Sequence, residues 1–262
     1  MALHQHLPVP EHRRNVGAVI LAAGRGERLG IGPKALVEIG GRPLLLHVLD
    51  SVCSNADVKS VVVTAPDGMA GEFRRLIASA EPGTEVLVTP GGSTRQASAH
   101  AGVRALPPEA DWVAITDVAR PFTARGAIDG LLGHLLGVAD RVAPSGRRPC
   151  GVIPSLPLVD SLHLLDEEPF LGDPFDRNRL RAAQTPQLFA RRCVNDAYEA
   201  AARESMAFTD DAGMVRWFGG SVAAAPGDAA NFKITFERDL ALAEAVHDRL
   251  HASSTLGNPR HE

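Results

Sequence analysis

The chain has 262 residues, 45% hydrophobic and 22% charged, with 25 Gly and 19 Pro spread without a repeat; that length allows one large domain or two small ones, and the balance excludes collagen-like, coiled-coil and disordered classes. A net charge of -4, from 27 Lys plus Arg against 31 Asp plus Glu, argues against a nucleic-acid partner, which demands a basic stripe, and leaves a small anionic ligand open. Three scattered cysteines, Cys53, Cys150 and Cys193, with no CxxC, exclude a disulfide framework and fit a reducing cytoplasm.

Residues 1–14 are polar and Pro-marked, without an apolar stretch of signal-peptide length, and are expected to stay flexible. The longest aliphatic run, Ala18 to Ala23, is far short of the ~20 residues of a membrane span, so no membrane association is expected. From residue 15 onward, short runs rich in Val and Ile alternate with stretches of helical period, the pattern of βαβ units around a mainly parallel sheet. Strands are read at Val16–Ala22, Val58–Ala65, Thr84–Thr89 and Trp112–Thr116, the last stopping at Asp117. Helices are read at Leu44–Ser54, around Gly68–Ala80, at Ser93–Leu106 and at about Ala124–Gly137.

Between about residues 154 and 183 the helical period is lost, and a strand-like, Leu-rich stretch gives way to a polar, Pro-containing one. Such an excursion inside an α/β domain reads as a functional lid or a protruding β-arm. Its Leu156, Leu158, Leu162, Leu164 and Leu165 need a cover that one subunit does not provide, so a homodimer is expected. The α/β rhythm resumes with helices near Arg191–Arg203 and Asp210–Trp217, a strand near Ser221–Ala225, and a last helix over about Glu237–Leu250. Residues 15–250 form one domain in this reading, with the arm at about 154–183 and a flexible tail at 251–262.

The first strand runs into Leu21-Ala22-Ala23-Gly24-Arg25-Gly26-Glu27-Arg28-Leu29-Gly30-Ile31-Gly32-Pro33-Lys34. A Gly-rich loop at the carboxyl end of the first strand of a parallel sheet is a phosphate cradle, because backbone N–H groups approach closely where no Cβ intervenes. Arg28 and Lys34 add donors suited to a polyphosphate. A dinucleotide GxGxxG fails at Leu29, and a Walker loop fails because the chain has no Gly-Lys dipeptide. A solvated surface turn is the plain alternative.

The loop resembles the LxAGxGxRLGxxxPK signature of nucleotidyltransferases that activate sugar and alcohol phosphates. Five further segments follow in order: Gly91-Gly92-Ser93-Thr94-Arg95-Gln96-Ala97-Ser98, Asp117-Val118-Ala119-Arg120-Pro121, Asp176-Arg177 ahead of Thr185-Pro186-Gln187, Thr209-Asp210-Asp211-Ala212 and Phe232-Lys233-Ile234-Thr235. Together they resemble the 2-C-methyl-D-erythritol 4-phosphate cytidylyltransferase family over Val16 to Leu250. The resemblance implies a three-layer, Rossmann-like fold with a mainly parallel twisted sheet and a protruding arm, and transfer of CMP from CTP to an alcohol phosphate with release of pyrophosphate. It implies Ala22, Ala23 and Gly24 at the nucleotide, Gly92, Ser93 and Ser98 near base and ribose, and Gly26, Arg28 and Lys34 at the triphosphate. Asp117, Arg120, Ser161, Arg177, Thr185 and Lys233 match the acceptor side, with Arg28, Lys34, Arg177 and Lys233 catalytic and with Arg177 and Thr185 on an arm reaching the neighbouring subunit. It also implies Mg2+ bridging the CTP phosphates. The ten histidines form no HExxH or Cys/His cluster, and the one HxH, His4-Gln5-His6, lies in the polar N-terminal stretch, so no protein-made metal site is expected.

Residue type alone gives weaker readings. Asp117 at a strand end serves equally as a turn cap, Arg177 lies among Asp173, Asp176, Arg179 and Arg181 in what reads as a solvated charge cluster, and Lys233 between Phe232 and Ile234 reads as the outward residue of a strand. The chain has Thr116-Asp117-Val118 where the family has His-Asp-Ala, Ser161 for a usual Thr, and His163 beyond it where a Lys is common. Ribitol 5-phosphate or another polyol phosphate is therefore the second acceptor considered, and a catalytically silent nucleotide-binding regulator is the alternative from another class.

Overall fold

The computed structural model describes residues 14–24, 26, 30, 32–144, 146–167 and 169–255. The flexible N-terminus expected at 1–14 lies, but for residue 14, outside them, as do Arg28 and the last seven residues of the expected tail.

Strand β1 (Val16–Leu21) is buried along its whole length. A small hairpin of β2 (Glu38–Ile39) and β3 (Arg42–Pro43) leads into α1 (Leu44–Cys53). Next come β4 (Val58–Ala65), α2 (Ala70–Ala78), β5 (Glu85–Pro90), α3 (Arg95–Ala105), β6 (Trp112–Asp117) and α4 (Ala127–Gly137). Consecutive Val61, Val62 and Val63 in β4 are all fully buried. Successive strand residues point to opposite faces, so this run needs cover on both, which a doubly wound layer arrangement gives.

The second half supplies β7 (Gly151–Pro157), β8 (Leu162–Leu165), β9 (Leu171–Phe175), β10 (Arg181–Ala183), β11 (Gln187–Ala190), α5 (Arg191–Arg203), α6 (Asp211–Trp217), β12 (Val222–Pro226) and α7 (Glu237–Thr255). The central sheet has eight strands in the order β10-β7-β11-β6-β1-β4-β5, with β12 against β7. β1 pairs parallel with β4 and β6, β4 with β5, and β12 with β7, whereas β11 and β10 run antiparallel to their neighbours. The sheet is thus mixed and mainly parallel.

From β1 the chain winds outward through β4 and β5, then returns to lay β6 on the other side of β1. The direction of winding reverses there, and the crevice at the carboxyl ends of β1 and β6 is where open α/β sheets bind ligands. The register sets Leu21 level with both Thr64 and Asp117. Beyond the sheet, β8 and β9 pair only with each other, as an antiparallel two-stranded ribbon.

Three features differ from the sequence reading. Cys150, just before β7, is joined to Cys193 of α5 across a Cα–Cα distance of 6.5 Å, although 43 residues separate them; spacing alone hides a pair brought together by the sheet. Helix α7 continues to Thr255, five residues past its expected end, into the tail expected to be flexible. Lys233 lies in a loop rather than on a strand, because its neighbours are fastened from below by the buried Asn231 rather than by a ladder partner.

Candidate active site

The Gly-rich loop leaves β1 as the strand ends. Gly26 has φ +68, and a Cβ there would collide with the Gly32 carbonyl oxygen, so only glycine lets the loop fold back on itself. The return is marked by the Lys34 amide reaching the Gly24 carbonyl at 3.4 Å. Lys34 opens a single 3-10 turn, Lys34–Leu36, and its Nζ donates to the Ile234 carbonyl at 2.8 Å. Lys34 is thereby tied to the segment carrying Lys233.

A second glycine-rich turn joins β5 to α3. A Cβ on Gly91 would collide with Ala23 and lie 2.9 Å from Ser98 Oγ, so the two turns approach as closely as backbone allows. Ser98 Oγ accepts from the Gly92 amide at 3.1 Å and donates to the Thr94 carbonyl at 2.9 Å. Thr94 caps α3, its side chain accepting from the Ala97 amide at 3.0 Å. Ser98 thus holds the turn in shape from below.

Asp117 sits at the end of β6 with both carboxylate oxygens occupied. Oδ2 accepts from Lys233 Nζ at 2.6 Å and Oδ1 from Arg95 Nε at 3.2 Å. Burial alone would raise this carboxyl, but the charges of Arg95 and Lys233 overcome it and hold it at about 2, below the ordinary 3.8. Its amide is received by Thr185 Oγ1 at 3.1 Å. Arg120 lies behind, donating to the carbonyls of Asn231 and Ala183, and Asn231 bridges to Thr123 and to the Thr185 carbonyl. These buried bonds fix the loop from which Lys233 projects.

One cleft of about 860 Å³ gathers Ala23, Gly24, Gly26, Lys34, Gly92, Ser93, Ser98, Asp117 and Lys233, together with Arg95, Val118 and Pro66. Ala22, Arg120 and Thr185 are buried and do not line it; Thr185, expected on the arm, instead lies behind Asp117 of its own chain, bound to the Asp117 amide. Ser161 and Arg177 do not line it: Arg177 lies on the arm and donates to the Val159 carbonyl. The sequence reading named Arg95 and Asp211 within motifs but gave them no role. Arg95 is the first residue of α3, where a cation opposes the positive end of the helix, and that misfit is the signal of a carboxylate partner. Two are present, Asp117 and Asp211, the latter at 3.1 and 2.9 Å from the guanidinium.

Chemically, the cleft offers backbone N–H groups in two glycine turns, the ammonium groups of Lys34 and Lys233, and one buried carboxylate, Asp117, held by Lys233 and Arg95, an arrangement suited to anions. Among the described residues no group of three or more His, Cys, Asp and Glu is arranged to hold a metal ion, and Asp117 has both oxygens on cations. A divalent ion here would be carried by ligand phosphates. No helix among the described residues is long and apolar enough to cross a membrane.

Residues 16–249 match the family model described as IspD: 2-C-methyl-D-erythritol 4-phosphate cytidylyltransferase. A 2-C-methyl-D-erythritol 4-phosphate cytidylyltransferase of Streptomyces coelicolor is 41% identical over 239 residues, 87% of this chain and 83% of that protein. A bifunctional enzyme IspD/IspF of Clavibacter michiganensis is 41% identical over 235 residues, 88% of this chain and 54% of the longer protein. Among solved structures, the 2-C-methyl-D-erythritol 4-phosphate cytidylyltransferase of Thermus thermophilus aligns with a TM-score of 0.68 at 34% identity, over 89% of this chain and 99% of that one. The 4-diphosphocytidyl-2C-methyl-D-erythritol synthase of Anaerococcus prevotii aligns with a TM-score of 0.77 at 23% identity, over 90% and 96%, a likeness of fold.

Proposed function

The chain belongs to the 2-C-methyl-D-erythritol 4-phosphate cytidylyltransferase family, and from that premise we propose that it transfers CMP from CTP to 2-C-methyl-D-erythritol 4-phosphate, releasing pyrophosphate, in the synthesis of isoprenoid precursors. The observation that carries this reading is the joining of Lys34, Lys233 and Asp117 with two glycine turns in one cleft at the point where the sheet reverses its winding. The names of the relatives favour this acceptor over ribitol 5-phosphate.

An oxygen of the acceptor phosphate forms a bond to the α-phosphorus of CTP as the bond to the β-phosphate oxygen breaks, and pyrophosphate leaves with that electron pair. The attacking phosphate is already anionic at neutral pH, so no base is needed; the site must hold two anions together and in line. Lys34 is assigned to the triphosphate and Lys233 to the acceptor phosphate, and both oppose the charge that grows on the α-phosphoryl oxygens. Arg28 is assigned beside Lys34 from the loop's sequence pattern. Gly92, Ser93 and Ser98 are assigned to the base and ribose end, Ala22, Ala23 and Gly24 to the nucleotide, and Gly26 to the triphosphate. Asp117, with Arg120 and Thr185 behind it, sets the position of Lys233. We take the divalent ion as Mg2+ arriving on CTP; when bound it would neutralise phosphate charge and stabilise the departing pyrophosphate. The exposed apolar ribbon of the arm supports a homodimer with Ser161 and Arg177 offered to the neighbour's acceptor. CTP is an intracellular nucleotide, and the reaction is assigned to the cytoplasm.

Pyrophosphate release tests the reading, with CTP against UTP and 2-C-methyl-D-erythritol 4-phosphate against ribitol 5-phosphate. Turnover is expected with CTP and the methylerythritol phosphate. Turnover with ribitol 5-phosphate alone moves the acceptor, and CTP binding without turnover leaves the silent regulator.

A further inference from the structure

Arg95 is bound in a way that the nucleotide reading does not require. Two of its N–H groups form a fork on Asp211, which is 2% exposed and also receives the hydroxyl of the buried Tyr198. Its remaining Nε reaches Asp117. A planar guanidinium so anchored has no freedom to follow a substrate. Lys233, on the opposite oxygen of Asp117, is different: its side chain is 37% exposed, sits on a flexible stem and faces the cleft.

The two cations therefore divide the work. Before an acceptor arrives, the charges of Arg95, Lys233 and, from behind, Arg120 act on Asp117, but only Arg95 and Lys233 are hydrogen-bonded to its carboxylate. A phosphate entering beside Lys233 draws the ammonium away from Asp117, and a buried carboxylate left alone next to an incoming anion would repel it. Resting on the functional reading above, we propose that Arg95, anchored by Asp211 and Tyr198, is a positioning residue for the acceptor: it keeps Asp117 paired and in place while Lys233 turns from Asp117 to the acceptor phosphate. Burial would lower the Arg95 guanidinium, but Asp211 and then Asp117 override it and keep it charged. Tyr198, pushed up by burial and by Asp211, stays a neutral hydroxyl that donates to Asp211. Asp211 opens α6, where the helix end favours a carboxylate, so the anchor is itself held.

The test uses the full chain and four variants: Arg95→Ala, Arg95→Lys, Asp211→Asn and Tyr198→Phe. Calorimetry gives the affinity for a nonhydrolysable methylene analogue of CTP, and then for 2-C-methyl-D-erythritol 4-phosphate in the presence of that analogue. Steady-state kinetics give acceptor KM and kcat. In Arg95→Ala the acceptor is expected to bind about tenfold or more weakly and kcat to fall, with the nucleotide affinity held within about threefold. Arg95→Lys recovers only part, since one ammonium does not span both carboxylates. Asp211→Asn, which lies outside the cleft lining, shifts the same acceptor parameters, and the double variant Arg95→Ala/Asp211→Asn is no worse than Arg95→Ala alone. Unchanged acceptor affinity in a folded Arg95→Ala overturns the proposal. So does an equal loss of nucleotide affinity, which makes Arg95 a nucleotide ligand, or strict additivity with Asp211→Asn. If Arg95→Ala does not fold, Arg95→Lys and Tyr198→Phe carry the same comparison. A wild type that binds the acceptor without turning it over refutes the functional reading while the binding arm still decides on Arg95; a wild type that binds no acceptor overturns both.

Discussion

Asp117 stays ionised at a position 8% exposed to solvent because two cations face it. A carboxyl held at about 2 in the folded chain against an ordinary 3.8 contributes stability that is complete above about pH 5, where both states are ionised. Between about pH 5 and pH 1 the unfolded chain takes up its proton first, and the contribution drains away. Its size is about 2 kcal/mol. Asp117→Asn is therefore expected to be less stable than wild type by an amount that is largest above about pH 5 and shrinks as the pH falls toward about 1. Denaturant midpoints across that range check it, and a pH-independent difference would remove the electrostatic explanation. Lys34→Ala and Lys233→Ala are each expected to lower kcat/KM on the order of a hundredfold or more; the melting temperature changes little in Lys34→Ala, whereas Lys233→Ala also lowers it by removing one of the cations paired with the buried Asp117. Near-normal turnover in either variant would withdraw its role.

At the scale of elements, the sequence exposes what is regular and long. Runs such as Val61-Val62-Val63 mark strands with both faces covered, and α5 begins and ends at Arg191 and Arg203 as its period requires. Short pieces defeat the same reasoning. β11 is four residues, Gln187–Ala190, following a polar turn, and nothing in its composition announces that it lies between β6 and β7. Lys233 looked like a strand residue because three alternating positions are too few to fix a period; the loop is set by Asn231, whose partners lie 46 and 108 residues away. The two glycine turns and the place of Lys34 beside the first were legible in the sequence, since such a loop is a local object. The Arg95–Asp211 pairing was not, because it spans 116 residues and depends on α3 and α6 meeting. The arm carries its own prediction. Along and beside the β8–β9 ribbon, Val159, Leu165, Phe170 and Leu171 are exposed at 82%, 61%, 69% and 69%, a concentration of apolar surface that single chains seldom leave in water. Replacing Leu165 and Leu171 together by Asp is expected to shift the protein from dimer to monomer in sedimentation velocity, with the melting of the central domain little changed. An unaltered sedimentation coefficient would dissociate the ribbon from assembly.

At the scale of the whole molecule, the separation of the arm from the cleft gives the proposed homodimer a testable consequence. Arg177 is on the arm and outside the cleft lining, whereas Lys34 and Lys233 are in it. If the acceptor site takes Arg177 from the neighbour, each site of a dimer is built from the loop and cleft of one chain and the arm of the other. Lys34→Ala and Arg177→Ala chains are then each inactive as homodimers, yet a mixed dimer has one site with both residues intact and one with neither. Random exchange of equal amounts makes about half of the dimers mixed, and half of the sites in those are whole. Turnover is therefore expected to recover to about a quarter of the wild-type rate per chain, and to vanish again on dilution below the dimer dissociation constant. A tag on each variant, with capture through both, verifies exchange. Exchange without recovered turnover would show that Arg177 serves its own subunit, and a monomer with full activity would show that the cleft is complete in one chain.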